Sequence, residues 1–108
     1  MKILKLNNNS TSSEFVPKRF FQLVLSFYSI GISKNLWKNY SIKIGNGNKN
    51  KYTNVVFYKK SFSYPIIKIK YSKINNQDYI EIENNHQKIN FSDINLINYW
   101  FKNYFLDK

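Results

Sequence analysis

Residues 65–83, PIIKIKYSKINNQDYIEIE, admit one antiparallel pairing that satisfies both faces of a hairpin at once. Side chains alternate across a strand, so Ile67, Ile69 and Tyr71 share one side while Lys68 and Lys70 share the other. Beyond a turn at Asn75–Asn76, Ile80 and Ile82 point inward and Glu81 and Glu83 outward. Placing Lys70 opposite Glu81 also sets Lys68 against Glu83, Ile69 against Ile82 and Tyr71 against Ile80. A slip of one residue would turn every apolar side chain to water. Each exposed charge pair contributes only about 0.2–1 kcal/mol, so the charges select the register more than they stabilise it.

The remaining segments are arranged around this hairpin. Phe20–Tyr28 (FFQLVLSFY) has few polar breaks and predicts a strand buried on both faces. Ser33 is a candidate N-cap, and Leu36, Trp37, Tyr40 and Ile44 recur at helical spacing until Gly45–Gly47 (GNG) stops the helix. Thr53–Tyr58 (TNVVFY) predicts a second strand, and Tyr64–Pro65 opens the third, where proline is tolerated. A final helix is expected from about Ser92, capped by Asn90 or Ser92, with Asp93 in its first turn. Its apolar stripe is Ile94, Ile97, Trp100, Phe101, Tyr104 and Phe105. Residues 1–16 form a polar, Asn/Ser-rich tail expected to order only on binding, and residues 17–108 a single domain. The resulting order is β-α-β-β-β-α: an α/β fold with a mixed four-stranded sheet, its first two strands parallel through a helical crossover.

The formal charge of +11 is unevenly spread. Residues 1–60 carry ten lysines and one arginine against one glutamate, a balance of +10; residues 61–108 carry six lysines against five acids, a balance of +1. The abundance of Asn, Lys, Ile, Phe and Tyr reflects in part AT-rich codons, but codon bias does not place the excess in one half. Such a distribution points to a polyanion, nucleic acid before an anionic membrane surface. Lys18, Arg19, Lys34, Lys38, Lys59 and Lys60 are the candidate RNA-binding residues, reading phosphates rather than bases. Ser33 and Lys34, at the expected helix N-terminus, would suit a phosphate.

Catalytic chemistry finds little footing. The chain has no cysteine, which excludes a dithiol redox pair and a cysteine-ligated metal. His86, the only histidine, sits among polar residues and reads as solvated. Glu81 and Glu83 face lysines rather than a pocket that would shift their pKa values. Gly45–Gly47 is too short for a phosphate-binding glycine loop. Trp37 and Trp100 lie on apolar faces and read as core, whereas Tyr28 and Tyr58 have no assigned face. No cofactor and no metal are expected.

The element order resembles the thioredoxin-like domain of a family of mitochondrial proteins: a large-subunit ribosomal protein, a small-subunit ribosomal protein and a small accessory subunit of respiratory complex I. The match runs through Leu25–Tyr28 (LSFY), Ile30–Ser33 (IGIS), Lys34, Leu36, Pro65, Tyr71, Ile80, Ile82 and Asn84, over about residues 18–105. One of the family's two loop glycines is present, at Gly31, and the turn after Tyr71 is one residue longer. The resemblance, closest to the large-subunit ribosomal branch, implies a mitochondrial matrix location and a structural, non-enzymatic role in a large assembly. The charge asymmetry favours a ribosomal branch, with ribosomal RNA and neighbouring ribosomal proteins as partners, over complex I.

Overall fold

The structure is a computed structural model that describes residues 17–46, 51–61, 63–106 and 108; the expected tail of residues 1–16 lies outside them. The described residues form helix α1 (Lys18–Ser33), five strands, and helix α2 (Leu96–Leu106). The strands are β1 (Asn39–Asn46), β2 (Lys51–Lys60), β3 (Ser63–Ile74), β4 (Gln77–Glu83) and β5 (Lys88–Phe91), paired in sequence order. Every pairing is antiparallel. The sheet is therefore a five-stranded meander rather than a mixed four-stranded one. Among the described residues there is no helical crossover between parallel strands, and the thioredoxin-like element order is not the one they adopt.

The hairpin register is the expected one: Lys68 opposite Glu83, Ile69 opposite Ile82, Lys70 opposite Glu81 and Tyr71 opposite Ile80. Asn75 and Asn76 both take positive φ, 53° and 64°, as a two-residue type I′ turn requires, and asparagine tolerates that conformation. Pro65 lies near the start of β3 opposite Tyr58, where the register shifts between Phe57 and Tyr58 and relieves the ladder of a donor.

The first expected strand is instead α1. Within Phe20–Tyr28 an apolar run cannot separate strand from helix. Over the longer window Phe20, Val24, Phe27 and Gly31 recur at intervals of four, three and four, and these are the buried positions. Pro17 precedes the helix in extended backbone, suited to an N-terminal boundary. The helix ends in a Schellman motif: Leu36 N–H donates to the Gly31 carbonyl (2.9 Å) and Asn35 N–H to the Ile32 carbonyl (3.0 Å), with Asn35 at φ 61°. Ser33 thus closes a helix instead of capping the start of one. The expected first helix is strand β1, whose alternation of Tyr40, Ile42 and Ile44 with Ser41, Lys43 and Gly45 outweighs the helical spacing from Trp37.

Both helices pack on one face of the sheet. The core joins Phe20, Val24 and Phe27 of α1 and Ile97 and Phe101 of α2 to Val55, Phe57, Ile67, Ile69, Tyr71, Ile80 and Ile82. Phe27 stacks on Phe101 with ring centroids 4.7 Å apart. The α2 stripe is as expected, with Ile94, Ile97 and Phe101 buried and Trp100, Tyr104 and Phe105 packed against them. Its start is one turn later than expected. Asp93 accepts Asn95 N–H on its side chain and Leu96 N–H on its carbonyl, while Asn90 belongs to β5.

Trp37 ties α1 to the sheet. Its indole is buried against Phe57 (4.8 Å), and its Nε1–H donates to the Tyr28 carbonyl at 2.8 Å. The ring lies in the notch left by Gly31, where an added Cβ would stand 2.0 Å from Trp37 Cε2. Glycine is needed here for space.

Two predictions follow from this packing. Gly31→Ala gains about 1 kcal/mol in helix propensity, but it expels a buried indole whose loss costs about 3–5 kcal/mol. The variant should be net destabilised by about 2 kcal/mol or more in urea unfolding; equal or greater stability would refute the notch. Tyr71 donates its hydroxyl to Asp78 Oδ1 at 2.5 Å, and burial, with the adjacent carboxylate, holds its phenol well above the ordinary 10.0. A raised folded pKa means stabilisation that is complete below about pH 10 and lost as pH rises above it. Tyr71→Phe should therefore flatten the fall in unfolding free energy as pH rises from about 10 upward.

Candidate nucleic-acid interface

With both described helices on one side of the sheet, no described element covers the other side. Strand alternation puts Ser41, Lys43 and Gly45 of β1 on this outer face, with Tyr52, Asn54, Val56 and Tyr58 of β2 and Lys68, Lys70 and Ser72 of β3. Tyr79, Glu81 and Glu83 of β4 and Lys88 and Asn90 of β5 complete it. None of these residues is buried.

The register arranges them in rows across the strands. One row runs Gly45, Tyr52, Ser72, Tyr79; the next runs Lys43, Asn54, Lys70, Glu81, Asn90; a third runs Ser41, Val56, Lys68, Glu83, Lys88. Tyr52 and Tyr79 therefore stand two strands, about 10 Å, apart with only a serine between them. The outer face over β1–β3 carries Lys43, Lys68 and Lys70 and no acid, whereas both carboxylates lie on β4.

Side-chain contacts sharpen this division. Glu81 pairs with Lys88 of β5 at 3.6 Å rather than with Lys70. Lys70 instead places its Nζ 4.8 Å from the centre of the Tyr52 ring. That ring lies across Gly45, where a Cβ would approach its Cζ to 2.3 Å. Tyr58, whose face the sequence leaves unassigned, is held by its hydroxyl against Ser41 Oγ at 3.0 Å. Tyr79 is 46% exposed. The hairpin is thus only half self-neutralised: Lys68 and Lys70 face the cationic side, and Lys88 takes one of the glutamates.

The six sequence-predicted basic residues fall into two groups. Lys18 and Arg19 begin α1, and Lys34 follows its end, about 22 Å away along a 16-residue helix. Arg19 Nε donates to Asn95 Oδ1 at 2.9 Å, tying α1 to the start of α2. Lys34, Lys38, Lys59 and Lys60 gather at the opposite end, where Lys38 N–H donates to the Tyr58 carbonyl. Lys60, two residues beyond Tyr58, continues the outer face toward this cluster. Ser33 and Lys34 stand at a helix C-terminus, whose dipole disfavours a phosphate, and Ser33 Oγ donates to the Ile30 carbonyl at 2.7 Å.

Sequence reasoning missed Lys43, Tyr52 and Tyr79, and it read Lys68 and Lys70 as register-setting partners of Glu83 and Glu81 rather than as part of a cationic face. The alternation of Tyr52, Asn54, Val56 and Tyr58 against Thr53, Val55 and Phe57 was the available signal, and it requires knowing that one face stays open.

A cleft of about 310 Å³ lies elsewhere, lined by Gln87, Ile89, Trp100, Asn103 and Tyr104. Its one titratable group is Tyr104, whose phenol burial pushes up, so it offers no acid–base pair near neutrality. His86 is exposed in the turn before it. Among the described residues no cluster of three or more His, Cys, Asp or Glu could hold a metal, and no helix is long and apolar enough to cross a membrane. No family model matches the chain, and no curated protein or solved structure is significantly similar to it.

Gly45→Ala tests the seat of Tyr52. Its close neighbours are the far end of a half-exposed side chain, which can swing away, so unfolding free energy should change by less than about 0.5 kcal/mol. The displaced ring should part from Lys70, shifting the Tyr52 ring resonances; an unmoved ring would refute the close contact across Gly45.

Proposed function

We propose that this protein is a non-catalytic RNA-binding module, taking single-stranded RNA across the outer face of β1–β3. The observation that carries the reading is the acid-free, helix-free surface on which Lys43, Lys68 and Lys70 surround Tyr52 and Tyr58. Lysines neutralise phosphates without regard to sequence, and the partly exposed rings of Tyr52 and Tyr58, with exposed Tyr79 beyond them, offer aromatic surface on which any base can stack. An open sheet suits unpaired bases better than a duplex, whose base faces are hidden. Lys60, which continues the outer face beyond Tyr58, extends the phosphate path past the sheet.

Ribosomal RNA in the large subunit of a mitochondrial ribosome is the setting in which we place this activity, with neighbouring ribosomal proteins as further partners. The charge asymmetry supports the RNA partner; the mitochondrial large subunit rests on the sequence resemblance alone, whose thioredoxin-like fold does not carry over to an all-antiparallel sheet. The small ribosomal subunit is an alternative of the same chemistry. The complex I reading, a protein-only role, draws its support from apolar side chains left exposed along β1.

The test is a salt titration with a fluorescent oligouridylate. For single strands log K falls with log salt at a slope of about −0.7 per phosphate contact. Lys43→Gln and Lys68→Gln together should make that slope shallower by about 1.4. Single-stranded RNA should outcompete a duplex of equal charge. A slope unmoved by these substitutions, or a preference for duplex, would overturn the assignment of this face. Within cells, association with ribosomal particles should be lost on RNase treatment; persistence would favour the protein-only reading.

A further inference from the structure

On the inner face of the sheet, the two described helices stop short of β1. The register puts Tyr40, Ile42 and Ile44 on the same side as Phe57, Val55 and Thr53. The three β2 residues are fully buried, whereas Ile42 is 41% and Ile44 65% exposed. Helix α1 explains the difference. It rests on the sheet through Phe20, Val24, Phe27 and Gly31, and its far flank meets α2 through Arg19 and Asn95. Its near flank is marked by Tyr28, whose ring lies 4.8 Å from Tyr40. Residues at helical spacing on that flank are Phe21, Leu25 and Ile32. A groove therefore runs between α1 and β1, with Tyr40, Ile42 and Ile44 as its floor and an apolar helix flank as its wall.

Its rim has one sign of charge. Exposed Lys18 and Lys51 stand at one end and exposed Lys34 and Lys38 at the other. No acid occurs among the described residues of α1, β1 or β2; the carboxylates lie on β4 and before α2.

We propose that this groove binds an acidic amphipathic α-helix of a partner protein. Packed helices lie about 8–10 Å apart, so a helix beside α1 would sit over β1 and complete the layer above the sheet. An apolar stripe at i, i+3, i+4 and i+7 would cover Ile42 and Ile44, and flanking Asp or Glu would meet the lysine rim. A second copy of this chain fits poorly, because it would bring the same cationic rim against its own. The groove lies on the opposite face from the RNA surface, so the two ligands should bind independently.

The probe is a fluorescent synthetic helix about as long as α1, with leucines on one face and glutamates elsewhere. A second peptide replaces each glutamate with lysine, and a third scrambles the order. The full chain should bind the first at least about tenfold more tightly than either control. Ile44→Glu should weaken it about tenfold or more, and Lys51→Glu about threefold, while Lys88→Ala on the far edge changes nothing. Circular dichroism should report unaltered folding; Lys51→Glu carries the test should Ile44→Glu unfold. Oligouridylate should leave peptide affinity unchanged. Equal affinity for all three peptides, or indifference to both substitutions, would overturn the proposal. So would displacement of the peptide by phosphatidylserine vesicles, competition from RNA, or self-association abolished by Ile44→Glu.

Discussion

The seating of Trp37 in the notch at Gly31 decides which side of this protein is inside. The chain leaves α1 through a tight motif at Asn35 and returns at once as β1. The indole bridges the turn by packing on the helix, on Phe57 and on the aromatic end of α2. Because this contact clamps α1 to the inner face, and α2 packs beside α1 through Phe27 and Phe101, both helices occupy one side. The outer face is left to water as a consequence. A small domain without disulfides can accept one bare sheet face because its aromatic core supplies the buried area.

Legibility in the sequence followed the range of the interactions involved. The β3–β4 register could be read residue by residue, since charge and hydropathy agree on both faces and the turn contributes two asparagines. The α2 stripe was equally plain, because six large apolar residues at helical spacing leave no strand alternative. Phe20–Tyr28 misled because its apolar residues are dense enough to fit either period, and only Gly31 and Trp37 together identify a helix. Residues 36–44 misled in the opposite sense: Tyr40 and Ile44 fit both periods, and Ile42 was the residue that broke the tie. Strand β5 is four residues long, too short to carry a pattern. Of the candidate site, the cationic side chains could be counted in advance but not located. Arg19 is engaged by Asn95, and Lys34 lies at the wrong end of its helix for a phosphate, facts that belong to tertiary structure.

Chemistry is segregated over the surface. Among the described residues carboxylates are confined to β4 and the approach to α2, and Lys88 of β5 answers one on β4. Strands β1 and β2 with α1 present two surfaces of different character: a lysine–tyrosine plane outside the sheet and a lysine-rimmed apolar groove inside it. A protein that joins RNA to other polypeptides within one assembly would use such a division, with each ligand meeting its own face of the same few strands. Strand β1 contributes to both surfaces, through Lys43 outward and Ile42 and Ile44 inward.

The most direct measurement is an amide-shift titration of the isotopically labelled protein with oligouridylate. Binding across the outer face should perturb Lys43, Tyr52, Asn54, Lys68 and Lys70 together and leave the amides of α2 unmoved. Perturbations concentrated on the helices, or spread evenly over all lysines, would contradict an RNA platform on β1–β3.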